Sequence, residues 1–278
     1  MQAKRDAIKA KASAKMRKMG LLARVLDAII PWSGKILSVR GVMKTKFSTA
    51  VLTFFVLCSP LMDVVRAEDS PGFLFVNATV TDTQKLGAYG AALPPVYAKY
   101  GGRYLIFGGV GRGITALAGS LQHESVIFAE FDSLADVEKF WWSDEYRAVV
   151  PLRDGAGQFD VLGLSGTGIE PYSAQNDVQP AYMFTYIKMI NRDKAMEYMA
   201  AAQDTISSSP GRIIALVRPE DMSVLEGSTP EFTIEISSWP SLAAIDAFMS
   251  DPMYQAAIPL RDAGMEVIVL TAELPKPR

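Results

Sequence analysis

Two residue pairs in this chain have the types and spacing to grip an anion or a carbonyl. They are Tyr146 with Arg153 and Tyr254 with Arg261, each seven residues apart. Seven residues is close to two helical turns, so on a continuous helix the hydroxyl and the guanidinium share one face. Such a face can hold a small anionic or carbonyl-bearing molecule. Asp154 and Asp262 follow one residue later as candidate proton carriers. The same residues also suit a plainer role, closing a helix end and tying it to neighbouring strands. Pro151 and Pro259 fall inside the two intervals and imply a kink or restart. Glu226 is a lone carboxylate in a turn before an apolar run. As a general base it needs burial to raise its pKa; as a structural group it pairs with an arginine such as Arg212. The candidate catalytic residues are therefore Glu226, Tyr254 and Arg261. The candidate ligand-binding residues are Tyr146, Arg153, Tyr254 and Arg261.

Other chemistry has less support. His123, the one histidine, lies in a polar loop without a second ligand, and metal-ligand spacing is absent, so no metal or other cofactor is expected. The single cysteine, Cys58, excludes an intrachain disulfide and a thiolate cluster. Gly108 to Gly113 follows a strand but fails the phosphate-loop patterns, and reads as a β-hairpin connection. Asn77-Ala78-Thr79 matches a glycosylation sequon inside a strand expected to be buried. Trp141 and Trp142 are helical neighbours pointing about 100° apart. One of them is free to line a pocket, a second core or a contact with another subunit, which leaves a homo-oligomer open.

The elements that must position these residues come from a duplication. Ser143, Asp144, Glu145, Tyr146 and Pro151 to Asp154 recur as Ser250, Asp251, Pro252, Met253, Tyr254 and Pro259 to Asp262. The offset is close to 108 residues, and Phe140 recurs as Phe248. The first copy, 71–166, reads as strands over 73–80, 102–110, 125–131 and 158–164, with one helix between the first two and another capped by Ser133. Residues 167–180, rich in Gly, Ser, Asn and Pro, read as a linker. The second copy, 181–273, repeats the order βαββαβ, with Asp193 and Ser241 as helix caps. A βαββαβ unit sets both helices on one face of a four-stranded sheet. The strands are apolar on both faces, Phe73 and Phe75 alternating with Leu74 and Val76. Exposing the open face costs about 25 cal/mol per Å2, so the two sheets are expected to cover each other with four helices outside. The fold class is thus α+β: two tandem ferredoxin-like repeats packed sheet to sheet as an intrachain dimeric α+β barrel.

Charge divides the chain. Residues 1–42 hold ten Lys/Arg and two Asp/Glu, whereas residues 68–278 hold fifteen against twenty-seven, a formal −12. The acidic part argues against nucleic acid or an anionic membrane as its partner. Residues 1–42 form a basic extension with amphipathic spacing at Leu21, Leu22, Val25, Leu26, Ile29 and Ile30; translation starting at Met43 is the alternative. Residues 43–67 read as a signal peptide: a basic start at Met43 to Lys46, an apolar run to Met62, and Val65-Arg66-Ala67 before a cleavage point. The run is shorter than the roughly 20 residues that span a bilayer. A secreted or periplasmic protein is expected, meeting a membrane only through its N-terminal segment.

Leu225-Glu226-Gly227, the strand Phe232 to Ile236, Ser241-Leu242, Ser250 to Tyr254 and Arg261 together resemble the domain of unknown function 1330 family. That resemblance implies a ferredoxin-like fold of the dimeric α+β barrel superfamily. The superfamily includes small oxygenases, isomerases and haem proteins, but the family itself has no agreed activity. It covers about 73–166 and 181–273. The first half departs from it, with Leu117-Ala118-Gly119 in place of Leu225-Glu226-Gly227, which implies that only the second half keeps the glutamate. The expected function is small-ligand binding or a non-catalytic scaffold. The alternative is a cofactor-independent isomerase or oxygenase-like enzyme with its pocket in the second repeat.

Overall fold

The computed structural model describes residues 70–174 and 179–275. The basic extension expected over 1–42 and the signal peptide expected over 43–67 lie outside the described residues. In the first repeat β1 (Gly72–Val80) leads into α1 (Thr83–Ala92) and α2 (Pro94–Lys99), then β2 (Arg103–Val110), β3 (Gly113–Ala118) and β4 (Ser125–Phe131). Helices α3 (Leu134–Trp141) and α4 (Asp144–Val149), a 3-10 turn (Val150–Arg153) and β5 (Gly157–Ser165) complete it. The second repeat runs β6 (Ala181–Met189), α5 (Arg192–Ser208), β7 (Arg212–Val217), β8 (Ser223–Glu226) and β9 (Thr233–Trp239). It ends with α6 (Leu242–Met249), α7 (Pro252–Gly264) and β10 (Met265–Glu273). Among the described residues no helix is long and apolar enough to cross a membrane.

Short polar side chains set the helix starts. Asp82, Ser133, Ser143, Ser241 and Asp251 each accept backbone N–H groups of the first turn. The cap of α5 is Asn191, not the expected Asp193, which sits in the first turn beside the positive end of the helix dipole. The helical layer is more broken than the four helices expected. Pro94 stops α1, and Ser143 and Asp251 start new helices after α3 and α6.

The ten strands form one curled sheet, ordered β7-β9-β6-β10-β3-β2-β4-β1-β5-β8. Within it each repeat keeps the order fourth, first, third, second, as in β5-β1-β4-β2 and β10-β6-β9-β7. The inner faces of both sheets share one core, where Phe75 stacks on Phe184 at 5.6 Å and Phe128 meets Tyr182 and Phe184 edge-on at 5.5 Å. The Asn77 of the sequon is buried there, its Nδ2 donating to the Tyr186 hydroxyl at 2.8 Å.

Two strands absent from the sequence reading, β3 and β8, close the barrel by crossing between repeats. β3 pairs with β10 of the second repeat, and β8 pairs with β5 of the first. At the glycine run Gly109 and Arg112 exchange both backbone hydrogen bonds, at 3.1 and 2.7 Å, in a tight two-residue turn; Gly111 and Gly113, at φ 77° and 87°, then bend the chain into β3, whose first two residues pair parallel to the end of β2. The other seam closes through a single bridge between Gly166 and Ala215.

Candidate functional site

The crossing strands decide where the candidate residues meet. Ala118 lies opposite Val269 and Glu226 opposite Val161, each followed by the same one-residue register shift. The two strand tips are therefore equivalent, but each lies over the other repeat. Leu225 packs into the helix layer of the first repeat, and Leu117 into that of the second. Gly227 then turns the chain away at φ 84°, with Asp160 so close that a Cβ would sit 2.1 Å from its Oδ1. Glu226 thus belongs to the first repeat's site, which corrects its assignment beside Tyr254 and Arg261.

In the first repeat Arg153 is 6% exposed and donates from Nη1 and Nη2 to Glu226 Oε1 and Oε2 at 2.9 and 2.5 Å. This bidentate pair replaces the partner Arg212 considered from sequence; Arg212 instead stacks on Tyr172 at 3.8 Å. The Arg153 guanidinium lies over the Phe159 ring at 4.5 Å, and the Tyr146 hydroxyl bonds that of Tyr89 at 2.7 Å. Burial acts against the Arg153 charge, but Glu226 and the tyrosines raise its pKa overall. Burial likewise pushes the Tyr146 and Tyr89 hydroxyls above the ordinary tyrosine range. The space beside them is only about 50 Å3, because Tyr97, Trp141 and Tyr104 fill it. Trp141 is buried there, whereas Trp142 is 63% exposed with the Arg147 guanidinium over its ring at 4.5 Å.

The second repeat has the same frame and a different interior. Helix α7 runs unbroken through Pro259, so Tyr254 and Arg261 do share one buried face, without the expected restart; Pro151 of the first repeat does open a 3-10 turn. Asp262 accepts from Arg261 Nε at 2.9 Å, and the Tyr198 hydroxyl lies 3.5 Å from that of Tyr254. Asp82 and Asn191 cap matching helices, so Tyr198 is the counterpart of Tyr89. Arg261 is 7% exposed, yet its Nη1 has no hydrogen-bond partner among the described residues, since Ala118 stands where the first repeat supplies Glu226. Burial opposes its charge, but Tyr254 and Asp262 keep its pKa raised.

Beside Arg261 a cavity of about 620 Å3 opens between the sheet and helices α5 to α7, within the range of small-molecule sites, about 300–1,000 Å3. Register explains the space. Across the first sheet's outer face Phe107, Ile127, Val76, Val161 and Glu226 form one row. Across the second the row is Leu216, Glu235, Thr185, Val269 and Ala118. Above it Met249 stands for Trp141 and Ile206 for Tyr97, so rings that plug the first space are missing. The floor has become polar: Glu235 replaces Ile127 and Thr185 replaces Val76, and the buried Thr185 Oγ1 lacks a partner among the described residues. Burial alone raises the Glu235 carboxyl to about 7. The linker borders the cavity through Gly168, Ile169 and Glu170, pinned by Tyr172 N–H to Ser238 Oγ at 2.9 Å and by Arg212 Nη1 to the Glu170 carbonyl at 3.2 Å.

Sequence reading thus paired Tyr254 with Arg261 and missed Tyr198, Thr185 and Glu235. The available signal for Glu235 was a charge inside a strand whose neighbours are apolar on both faces. His123 is held outside the cavity by Thr79 Oγ1 at 2.8 Å and Asp160 Oδ2 at 3.1 Å. Among the described residues no group of three or more His, Cys, Asp or Glu is placed to hold a metal ion.

Two ferredoxin-like units in one chain, closing a shared barrel by exchanging short strands, define an intrachain dimeric α+β barrel. The chain belongs to the family described as Domain of unknown function (DUF1330), whose profile matches residues 71–167 and 180–273. A search of curated proteins finds no match. Among solved structures the chain is similar to an anthrone oxidase-like protein, at 17% identity and TM-score 0.44 over 76% of this chain and 93% of that one. It is also similar to a protein of unknown function from Rhodopseudomonas palustris, at 18% identity and TM-score 0.30 over 47% and 100%. A mutant chlorite dismutase from Candidatus Nitrospira defluvii matches at 10% identity and TM-score 0.43 over 76% and 95%. Likenesses this distant carry no argument about activity.

Proposed function

We propose that the second repeat is a binding chamber for a small, largely apolar molecule with one anionic or carbonyl end, and that the first repeat is its structural counterpart. One observation carries this reading: a buried Arg261, whose Nη1 has no partner among the described residues, faces a cavity of about 620 Å3, whereas Nη1 of the matching Arg153 is taken by Glu226. Asp262 takes the Nε and Nη2 edge of Arg261 at 2.9 Å, but a buried N–H left without an acceptor is costly, and a ligand anion supplies one at Nη1. The apolar walls, among them Met183, Ile187, Met199, Phe248 and Val267, suit rings or alkyl chains. The signal-peptide-like pattern of the sequence over 43–67 supports a secreted or periplasmic setting for this binding.

Titration of the full chain with 2-naphthoate by calorimetry tests the reading. Binding that weakens at least about tenfold in Arg261→Met, a loss of roughly 1.4 kcal/mol, is expected. Equal binding by wild type and Arg261→Met, or none by wild type, refutes it.

A further inference from the structure

We propose that Glu235 is the proton-transfer residue of this chamber, taking a proton from the carbon next to the carbonyl of an apolar, enolisable substrate whose anionic end Arg261 holds. The inference rests on the binding reading above and adds a reaction to it.

Glu235 occupies the middle of the chamber floor, on β9 between Thr185 of β6 and Leu216 of β7. At this place the first repeat has Ile127, so the fold itself does not call for a carboxylate. No hydrogen bond or ion pair holds Glu235 among the described residues, and withdrawing a carboxyl even partly from water without partners is unfavourable. A half-buried acid that no structural contact uses, on the floor of a cavity, is the pattern expected of a working group. With its pKa near 7, it is available both to remove and to return a proton around neutrality.

The rest of the chamber supplies what an enolate needs. In the row of the floor Glu235 lies three strands from the Ala118 end, about 14 Å between backbones at ~4.8 Å per strand. The carboxyl and the arginine therefore approach a ligand from different sides. Tyr198 feels both of them, Arg261 favouring its ionised form and Glu235 opposing it, although burial is the larger influence on its pKa. Its hydroxyl bonds Tyr254, so two hydroxyls and a guanidinium stand on the far side of the substrate as donors to a developing oxyanion. The other charged groups lining the chamber are Glu170 and Arg212, at the linker edge.

The step balances without a co-reactant. The C–H bond breaks and its electron pair forms the enolate C=C, while the carbonyl π pair moves to oxygen. The proton rests on Glu235. Its return to the same carbon gives exchange; its return elsewhere along a conjugated system gives an isomer. Nothing is oxidised or reduced.

Phenylpyruvate is a suitable probe, having a carboxylate, an apolar ring and acidic C3 hydrogens. Binding to the full chain is measured by calorimetry, and C3 hydrogen–deuterium exchange in D2O by NMR between about pH 5.5 and 8.5, spanning the Glu235 transition. The expected result is exchange accelerated roughly 100-fold over buffer, rising as pH passes through about 7. Glu235→Gln is expected to lose the acceleration with Kd changed by less than about threefold. Should Glu235→Gln fold poorly, Glu235→Ile tests the same point with the residue type that the first repeat tolerates. Binding without acceleration, or acceleration that survives these substitutions, overturns the proton-transfer proposal and leaves the chamber reading standing. Absence of phenylpyruvate binding by the wild type overturns the proposal, while failure of the chamber reading is recognised separately by absence of 2-naphthoate binding.

Discussion

Glu226→Gln tests the exchange of strands between repeats, because it removes one charge from the pair that fastens β8 of the second repeat to the first. Arg153 is 6% exposed and gives Glu226 two hydrogen bonds, at 2.9 and 2.5 Å. Breaking a fully buried pair costs about 3–5 kcal/mol. The Glu226 side chain is 35% exposed, so water recovers part of that, and the loss of one charge-assisted bond, about 1.5–3 kcal/mol, is the better guide. Glutamine keeps the shape but turns an N–H toward the guanidinium. We expect a loss of about 2 kcal/mol, or a fall of roughly 4–8 °C in Tm for a folded part of this size. Urea unfolding of the full chain, run as a double-mutant cycle with Arg153→Met, isolates the pair. A coupling energy above about 1 kcal/mol is expected. A value below about 0.5 kcal/mol, the level at which independent sites add, refutes the cross-repeat latch.

Three further outcomes follow from the structure and the sequence. Glu235 has its folded pKa raised from 4.5 to about 7, so its contribution to stability is fully present below about 4.5 and is lost as pH rises through 7. At ~1.4 kcal/mol per unit the loss is bounded near 3 kcal/mol, and Glu235→Gln should flatten that part of the pH–stability curve; an unchanged slope contradicts it. Gly227→Ala forces a side chain into a left-handed residue with Asp160 in the way; denaturation should show at least about 1–2 kcal/mol lost, and a neutral result would be wrong for the turn. N-terminal sequencing of the protein from its host should begin at Glu68, and an intact Met1 in a soluble cytoplasmic pool excludes the leader.

Much of the architecture was legible because it rests on local patterns. Runs such as Phe73 to Val80 and Tyr182 to Ile190 have strand composition, and the recurrence of Tyr, Pro, Leu, Arg and Asp near a 108-residue offset reveals the duplication. Tyr254 and Arg261 were readable as a pair because helical spacing is local. The place of Glu226 was not, because β8 is only four residues long and its partner strand comes from the other repeat. No local periodicity records an exchange between repeats. The same exchange reverses the expected asymmetry: the missing glutamate in Leu117-Ala118-Gly119 leaves Nη1 of Arg261 in the second repeat without an acceptor among the described residues. Glu235 and Thr185 were hidden by strands that read as apolar on both faces. Their meaning appears only when register sets them beside Ile127 and Val76, the residues they replace.

Ala118→Glu tests the central claim most directly, since it returns to the second repeat the carboxylate that the first already has. The new side chain is placed to pair with Arg261 Nη1, stabilising the protein by about 1–3 kcal/mol and occupying the acceptor site of the ligand. Calorimetric titration of Ala118→Glu with 2-naphthoate, alongside its thermal midpoint, reads both effects. The expected result is a higher Tm with binding lost or weakened at least about tenfold. Binding as tight as in the wild type contradicts the chamber and the role of Arg261 within it.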